Sequence, residues 1–246
     1  MMLLIIVQAR MTSSRLPGKI IMEVLGKPLL EYLIRRLQRV KLANQICIAC
    51  TVNDTDQPIV NLANKLRVSV HRGDEQDVLS RHYEAAIKFG ADHIMRVTSD
   101  CPLIDPEQLD YLISEYLSQS GQIDYMSSGM VRTYPRGMEA EVFSFKALEL
   151  AYNNATKDYE REHVTPYLYQ HPELFKLVPF LYSNDQSHHR WTVDTIEDFL
   201  LIEKIISSLY PSNPNFLIED ILNLLSVNQE WVKINCNIEQ KNLGVK

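Results

Sequence analysis

Several features that mark particular classes of protein are scarce or missing in this 246-residue chain. No apolar run approaches the roughly 20 residues that a membrane-spanning helix needs. Lysine and arginine together number 25 against 31 aspartate and glutamate residues, which gives a net charge of -6. No overall positive field therefore favours nucleic acid or an anionic membrane as a partner, and we expect neither. A cationic segment in such a chain is a local feature.

Cysteine is also scarce, since only four residues are present, and this argues against a disulfide scaffold. Cys47 and Cys50 form a CxxC pair within the predicted strand "QICIACTV", where their side chains should point to opposite faces. No second pair completes a zinc site, so we expect reduced core thiols and a cytoplasmic protein. The opening "MMLLIIVQAR" lacks the basic region and cleavage site of a signal peptide and is expected to be the first strand.

Short apolar runs alternate with amphipathic segments in the first half of the chain. The pattern predicts helices in "PLLEYLIRRLQRV", "QPIVNLANKL" and "DVLSRHYEAAIKFG", the last ended by Gly90, and a further helix that begins at Asp105 and Pro106. Strands are predicted in "LLIIVQ", "QICIACTV", "RVSVHRG" and "DHIMRVTSD". Apolar strands without polar alternation are typical of parallel strands buried on both faces. We therefore predict an α/β fold with a three-layer α/β/α arrangement around a mostly parallel sheet.

The segment from about residue 121 to 190 interrupts this alternation. "DYMSSG", "EAEVFSF" and "LFKLVPFLY" predict extra strands around a helix, which we interpret as an inserted, β-containing lid or dimer arm. Helical patterns return afterwards, and Thr195 with Asp198 resembles a capping box. Because no repeat, low-complexity tract or linker divides the chain, residues 1–246 are predicted to form a single domain that carries this insertion.

Chemistry-bearing residues follow the predicted strands. Ligands of parallel sheets bind at the carboxyl ends of strands, where the loop from Arg10 to Lys19, the pair Ser99–Asp100, and Asp194 after "RWTV" are expected. Cations beside two carboxylates suit a polyphosphate with Mg²⁺. A solvated turn would show the same loop charges, and a lone aspartate after a strand commonly caps a helix. The coincidence at several strand ends favours a site, although the Walker GxxxxGK[ST] and dinucleotide GxGxxG spacings are both absent.

A family resemblance covers roughly residues 3 to 205 and rests on seven motifs in the same order: "QARMTSSRLPGK", "GKPLLEYLIRRL", "HRGDEQDVLSRHYEAA", "RVTSDCPLIDP", "YPRGMEAEVFSFKALE", "REHVTPYLY" and "RWTVDTIEDF". They resemble cytidylyltransferases that activate sugar acids. The similarity is closest to the spore coat polysaccharide biosynthesis protein F type, which is related to acylneuraminate and 3-deoxy-manno-octulosonate cytidylyltransferases. The resemblance implies a nucleotide-diphospho-sugar transferase-like fold, Mg²⁺ as cofactor and a homodimer. It also implies CMP transfer from CTP to a sugar acid for surface glycan biosynthesis, with pyrophosphate released.

The resemblance also assigns roles to residues of this sequence. It gives catalytic roles to Arg10, Lys19 and Asp100, and metal-binding roles to Asp100 and Asp194. It places Arg10, Ser13, Ser14, Arg15, Lys19, Arg72, Arg81 and Ser99 at the nucleotide. On the acceptor side it points to Arg136, Glu139, Glu141, Arg161, His163 and Arg190. Each of these six also has a structural interpretation, such as an ion pair of Glu141 with an arginine. Thr12 stands where relatives usually have glycine, and it stiffens the phosphate loop.

Three alternatives to this function stay open. The chain could use another nucleotide or a non-sugar acceptor, it could be a metal-dependent glycosyltransferase with a similar sheet, or it could be a non-catalytic nucleotide-binding relative. Joint metal binding by His188 and His189 is not expected, because neighbours on an extended chain point apart. Residues 215–246 lie mostly outside the resemblance and are predicted to form a packing helix and a polar end.

Overall fold

The computed structural model describes residues 1–240, and the last six residues of the predicted polar end lie outside that description. Within this range the strands are β1 (Leu3–Gln8), β2 (Glu23–Val24), β3 (Lys27–Pro28), β4 (Gln45–Thr51), β5 (Ser69–Gly73), β6 (His93–Thr98), β7 (Tyr125–Ser127), β8 (Glu141–Ser144) and β9 (Leu177–Pro179). Strands β2 and β3 pair in a small hairpin, and the other seven form one sheet in the order β5-β4-β1-β6-β8-β7-β9.

The central sheet is mostly parallel, as predicted. Strands β5, β4, β1 and β6 are parallel neighbours, and β7 and β9 also pair in parallel. Strand β8 runs against both of its neighbours, β6 and β7. The carboxyl ends of β1, β4, β5 and β6 therefore meet at one edge of the sheet, which is where ligands bind in such folds.

Helices cover both faces of the sheet. They are α1 (Leu29–Leu37), α2 (Gln57–Lys65), α3 (Val78–Phe89), α4 (Pro106–Ser118), α5 (Phe145–Asn154), α6 (Asp158–His163), α7 (Pro166–Tyr169), α8 (Ile196–Leu209), α9 (Ile218–Val227) and α10 (Gln229–Val232). The predicted caps are confirmed at Gly90, whose φ is 64°, at Asp105 and at the Thr195–Asp198 capping box. In residues 1–240, none of the helices combines the length and the apolar character that crossing a membrane requires.

Two hydrophobic cores lie on opposite faces of the sheet. Along β1, Leu3, Ile5 and Val7 belong to the core beneath α1, α4 and α8, while the alternate residues belong to the core beneath α3 and α5. Cys47 and Cys50 fall into different cores, so the prediction that they point to opposite faces is confirmed. Burial raises the pKa of Cys47 to about 12 and that of Cys50 to about 11, as expected for inert core thiols.

The segment 121–190 contributes β7, β8 and β9 to the central sheet, so the three extra strands extend that sheet instead of forming one of their own. The strand-end argument for Asp194 treats "RWTV" as a strand, and this prediction is wrong. Its contact is an isolated bridge between Arg190 and Arg136, because the chain turns immediately before it. The helical part of residues 215–240 is confirmed by α9 and α10. That the segment 121–190 acts as a lid or dimer arm stays a prediction.

Candidate active site

The loop that follows β1 is an ordered part of the sheet edge. Gly18, with φ of 70°, donates its N–H to the Met11 carbonyl at 2.9 Å and so closes the loop. The Met11 N–H in turn donates to the carboxylate of Asp56 at 2.8 Å. Asp56 is fully buried and also accepts the Thr51 N–H at the end of β4, at 2.8 Å. One buried carboxylate therefore fixes the loop to the neighbouring strand.

Lys19, at the end of this loop, connects the two carboxylates that the sequence singles out. Its Nζ donates to Asp100 Oδ2 at 2.8 Å and to Asp194 Oδ1 at 2.9 Å. The other oxygen of Asp194 lies 2.7 Å from Nη2 of Arg15 and 2.8 Å from Nη2 of Arg190. We call these five residues the lysine cluster. It joins three distant parts of the chain, as the strand-end argument predicts.

The lysine cluster is charged although it is largely buried. Burial lowers the pKa of Lys19, but Asp100 and Asp194 outweigh this effect, and the pKa lies above its ordinary value. Burial raises the pKa of Asp194, yet Lys19, Arg15 and Arg190 together bring it below its ordinary value. Lys19 and Asp194 are therefore both ionised at neutral pH.

Arg190 is anchored by a second aspartate. Its Nε and Nη2 donate to the two oxygens of the fully buried Asp198 at 2.8 and 3.0 Å. Asp198 also accepts the N–H groups of Asp194 and Thr195, at 2.9 and 3.1 Å. Asn235 donates to Asp198 at 2.8 Å and to the Arg190 carbonyl at 2.9 Å. The C-terminal segment therefore supports the orientation of Asp194 through Arg190 and Asp198.

Arg10, predicted to act with Lys19, contacts a different set of residues. Its guanidinium lies 4.0 Å from Glu75 and 3.6 Å from Glu162. Glu75 also accepts hydrogen bonds from Thr12 Oγ1 and, at 2.6 Å, from Asn53. Thr12 thus ties the loop to the turn after β5 through a hydroxyl that a glycine would lack. A phosphate that binds Arg10 competes with two carboxylates.

Arg72 and Arg81, predicted near the nucleotide, bond to backbone carbonyls. Arg72 donates to the carbonyls of Thr51 and Asn53, both at 2.9 Å. Arg81 is buried and donates to the Ala49 carbonyl at 2.8 Å. Both side chains hold the ends of β4 and β5 in place, so their observed contacts are structural.

The three predicted serines lie at the same edge of the sheet. Ser13 is half-buried and Ser14 is exposed on the loop after β1. Ser99 is buried at the end of β6, where its N–H donates to the Gln8 carbonyl at 3.2 Å. Their positions agree with the predicted nucleotide loop, and their roles stay predictions.

Of the predicted acceptor residues, Arg190 belongs to the lysine cluster, and Arg136 and Glu139 precede β8. The N–H of Arg136 donates to the His189 carbonyl at 3.0 Å, which sets it next to Arg190. Glu139 accepts the Gly137 N–H at 2.6 Å, and burial raises the pKa of its carboxyl group. That these three residues bind the acceptor stays a prediction.

Glu141 forms an ion pair with an arginine, which is the structural interpretation that the sequence offers for this residue. It forms an ion pair with Arg96 on the neighbouring strand. It also accepts hydrogen bonds from Tyr125 at 2.6 Å and Thr165 at 2.8 Å. These contacts join β6, β7 and the turn before α7.

Arg161 and His163 lie on α6, away from the lysine cluster. Arg161 forms an ion pair with Asp77, the N-cap residue of α3, and donates to the Tyr152 carbonyl at 2.8 Å. Burial, followed by nearby Arg96 and Arg10, lowers the pKa of His163 despite the adjacent Glu162. The contacts of Arg161 connect helices, so the structure gives it a supporting position.

Sequence reasoning missed the structural importance of three buried residues, Asp56, Asp198 and Asn235. Asp198 was visible as part of a capping box, but its bond to Arg190 had no local signal. Asn235 meets Arg190 across 45 positions of sequence. His188 and His189 also differ from expectation. Their ring centroids lie 4.1 Å apart instead of the side chains pointing apart, because His188 lies in a turn and not on an extended strand.

The lysine cluster has the donor chemistry for Mg²⁺, given further ligands. In the described residues, no group of three or more His, Cys, Asp or Glu side chains is arranged to hold a metal ion. Mg²⁺ is nevertheless commonly held by one or two carboxylates together with phosphate oxygens. Asp100 Oδ1 is not used by Lys19, whereas both oxygens of Asp194 already bind cations. The residues therefore fit Mg²⁺ that arrives with a polyphosphate.

Comparison with known proteins identifies relatives along nearly the whole chain. Residues 4–240 match the model of a protein family described as cytidylyltransferase. The chain is 39% identical over 239 residues to an uncharacterized protein of Methanocaldococcus jannaschii, which covers 96% of this chain and 95% of that protein. It is 30% identical over 239 residues to the spore coat polysaccharide biosynthesis protein SpsF of Bacillus subtilis, with 93% and 95% covered.

Solved structures share the fold. A cytidylyltransferase from Leptospira borgpetersenii superposes with a TM-score of 0.91 at 33% identity, covering 98% of this chain and 100% of that one. CMP:2-keto-3-deoxy-manno-octonic acid synthetase complexed with CTP superposes with a TM-score of 0.67 at 14% identity, covering 85% and 99%. The second likeness concerns the fold alone.

Proposed function

This chain belongs to the cytidylyltransferase family, and from that premise we propose that it transfers CMP from CTP to a sugar acid, with Mg²⁺ as cofactor and pyrophosphate as the second product. The observation that carries the proposal is the lysine cluster at the strand ends. Lys19 there forms ion pairs with both Asp100 and Asp194, and Arg15 forms an ion pair with Asp194 as well. This is a site of fixed positive charge beside two hard oxygen donors.

In this proposal each residue of the cluster has an electrostatic task. Lys19 and Arg15 exchange carboxylate partners for oxygens of the triphosphate and neutralise the charge that builds on the departing pyrophosphate. Arg10 binds a further phosphate oxygen after leaving Glu75 and Glu162. Asp100 and Asp194 would hold Mg²⁺, which supplies positive charge to the α-phosphate when it is bound. No covalent enzyme intermediate is required.

The acceptor class is supported by names of relatives. SpsF of Bacillus subtilis is described as a spore coat polysaccharide biosynthesis protein. A 3-deoxy-manno-octulosonate cytidylyltransferase of Geobacter sulfurreducens is 30% identical over 109 residues, 44% of this chain and 43% of that protein. A sugar acid that is later built into a surface glycan is consistent with the descriptions of both relatives. A homodimer and a cytoplasmic location remain part of the proposal.

Thermal unfolding with nucleotides tests the base and the metal without knowledge of the acceptor. CTP, UTP, GTP and ATP are each added with and without Mg²⁺. Ligand at about 100 times its Kd adds roughly 2.7 kcal/mol to the stability of the folded state, which raises Tm by about 5 to 10 °C in a chain of this size. We expect the largest rise with CTP, and only when Mg²⁺ is present. A larger rise with another nucleotide would reassign the base. No rise with any nucleotide would contradict the proposed function and favour a non-catalytic relative that binds a partner enzyme instead.

Substitution of Asp100 tests the metal assignment. Asp100→Asn keeps the shape of the side chain but removes the charge, and removing one such electrostatic contact typically costs about 10²- to 10³-fold in rate. We expect at least that loss in pyrophosphate release, with a far-UV circular dichroism spectrum like that of the wild type. Asp54→Asn, an exposed aspartate, is the matched control. A fully active Asp100→Asn enzyme would remove Asp100 from the metal site.

A further inference from the structure

The guanidinium group of Arg190 uses nearly all of its donors within the protein. A guanidinium carries five N–H groups. Nε and Nη2 of Arg190 donate to the two oxygens of Asp198 at 2.8 and 3.0 Å. Nη2 also donates to Asp194 Oδ2 at 2.8 Å, and Nη1 donates to Gln240 at 2.8 Å. Four of the five N–H groups are therefore engaged, which leaves little donor capacity for the acceptor role that the family resemblance implies.

Asp198 holds Arg190 in place. It has no exposed surface and forms an ion pair with Arg190. Its other hydrogen-bond donors are neutral, namely the N–H groups of Asp194 and Thr195 and the side-chain amide of Asn235. If Arg190 moved away, a fully buried carboxylate would lose its cation, which is strongly unfavourable. The guanidinium of Arg190 therefore stays where Asp198 fixes it.

The other two cations on Asp194 belong to the loop after β1 and are held less firmly. Arg15 Nη2 lies 2.7 Å from Asp194 Oδ2, and the side chain of Arg15 is 25% exposed. Lys19 binds Asp194 Oδ1 and Asp100, whose side chains are 12% and 22% exposed. These carboxylates are accessible to another cation, whereas Asp198 is not. A polyanion can therefore draw Lys19 and Arg15 away while Arg190 remains.

Lys19 also shows where the free oxygen of Asp194 points. Its Nζ lies 2.8 Å from Asp100 Oδ2 and 2.9 Å from Asp194 Oδ1, so these two oxygens converge on one point. Arg190 binds the opposite oxygen of Asp194, Oδ2, at 2.8 Å. The carboxylate of Asp194 cannot turn without breaking that contact. Oδ1 thus stays directed at the point that Lys19 now occupies.

We propose that Arg190 is a positioning residue, which keeps Oδ1 of Asp194 directed toward Asp100 after Lys19 has moved to the triphosphate. The inference rests on the proposed function and deepens it, because it assigns Arg190 to the presentation of Asp194 to a divalent cation and not to the binding of the acceptor. Hydrogen-bond partners of a metal-binding carboxylate orient it, and their replacement typically lowers metal affinity about 10- to 100-fold. Asp198 acts one step further out, through Arg190.

Side-chain NMR of the wild-type protein tests whether Arg190 stays in place. Its Nε–H resonance is assigned through its own side-chain carbon resonances in ¹³C,¹⁵N-labelled protein, and CTP with Mg²⁺ is then added. The backbone amide of Ser14 reports binding at the loop after β1. We expect the Ser14 amide to shift while the Arg190 Nε–H continues to exchange slowly with water. Fast exchange of that N–H in the CTP complex would show that Arg190 leaves Asp198, which would overturn the inference.

Binding of Mn²⁺ at saturating CTP, measured by electron paramagnetic resonance, tests the effect on Asp194. Arg190→Lys keeps the positive charge but loses the planar group that binds two carboxylates at once. We expect Mn²⁺ affinity to fall about 10- to 100-fold, while CTP affinity without a divalent cation stays close to that of the wild type. Arg35→Lys is the matched control, since Arg35 on α1 also binds a buried carboxylate, Glu31, at 2.9 and 2.7 Å. It should change neither affinity.

The outcomes separate this inference from the proposed function. Unchanged Mn²⁺ affinity in Arg190→Lys would overturn the inference. An equal loss of Mn²⁺ and CTP affinity would also overturn it, because Arg190 would then only maintain the fold. Asp198→Asn removes the charge that holds Arg190 and should show the same selective loss of Mn²⁺ affinity. If CTP with Mg²⁺ leaves the Ser14 amide unshifted, the proposed function fails and the inference with it, whereas a shifted Ser14 amide with a rapidly exchanging Arg190 removes the inference alone.

Discussion

Lys19 shows how a single residue can hold a site together. Its ammonium group lies 2.8 and 2.9 Å from two carboxylates that would otherwise repel each other. Burial works against the charged form, and the two aspartates more than offset it. Removing one member of such a buried network leaves the others without partners, which is far more costly than the net value of the intact pair.

Asp194 leads to a prediction about how the free energy of unfolding depends on pH. Its pKa in the folded protein lies below 3.8, so its contribution to the free energy of unfolding is complete above the unfolded pKa and is lost as the pH falls through the folded pKa. Asp194→Asn should lower stability at neutral pH by about 3 kcal/mol, or Tm by about 6 to 12 °C. The difference from the wild type should shrink below about pH 4.

Thermal unfolding from pH 7 down to pH 3 measures this difference. Asp54→Asn, on the exposed surface, serves as the control and should follow the wild type at every pH. If the deficit of Asp194→Asn were the same at both ends of the range, the ionised carboxylate would not be its cause.

Among the elements, the turn before β8 and the segment before α8 act as one unit. They are joined at Arg136 and Arg190 by an isolated bridge rather than by a strand pair. This contact brings the guanidinium of Arg136 beside the anchored guanidinium of Arg190. The geometry depends on Gly137, because the backbone of residues 191 and 192 passes where any other residue would place its Cβ.

Gly137→Ala should destabilise the protein by more than the strain of a positive φ alone, because the new Cβ also clashes with the backbone of residues 191 and 192. Gly121, with φ of 81° and no described atom within 4 Å of the position that a Cβ would take, is the matched control for the positive φ of 98° at Gly137. A strained φ costs about 1–3 kcal/mol in either case. The added clash should make Tm of Gly137→Ala at least about 2–4 °C lower than that of Gly121→Ala. Equal values would show that the two segments can separate freely.

Across the whole molecule, the site is assembled from the first loop, the strand ends and the C-terminal segment. The C-terminal segment reaches the site through Asn235, whose side chain is buried and bonds to both Arg190 and Asp198. Helix α9 packs against α8 and α10 packs against α9, which brings the segment there. Asn235, near the end of the described chain, thus holds Arg190 in position beside the strand ends.

Asn235→Ala should destabilise both the C-terminal segment and the segment that holds Arg190 and Asp198, because it removes the hydrogen bonds between them. Losing buried hydrogen bonds of this kind costs about 1–3 kcal/mol, and amide hydrogen exchange should become faster in residues 229–238 and also in residues 190–198. Asn237→Ala, two positions away and exposed, is the control. Faster exchange confined to the C-terminal segment would mean that Asn235 does not support Arg190 and Asp198.

The sequence by itself determined the kind and order of the main elements in the first half of the chain and the edge at which the site lies. Apolar runs marked the buried strands, and Gly90, Asp105 and Thr195 marked helix ends, because these signals depend on residues a few positions apart. The motifs also marked Lys19, Asp100 and Asp194 as site residues, although no pattern in the chain states which of them touch.

Only the tertiary structure decided the partners. Lys19 meets Asp100 across 81 positions and Asp194 across 175, and Asn235 meets Arg190 across 45. The tertiary structure paired Arg10 with Glu75 and Glu162. It also gave Glu141 and Arg161 structural contacts. Charge compensation depends on distances between side chains on different elements, and those distances exist only once the sheet has brought its strand ends together.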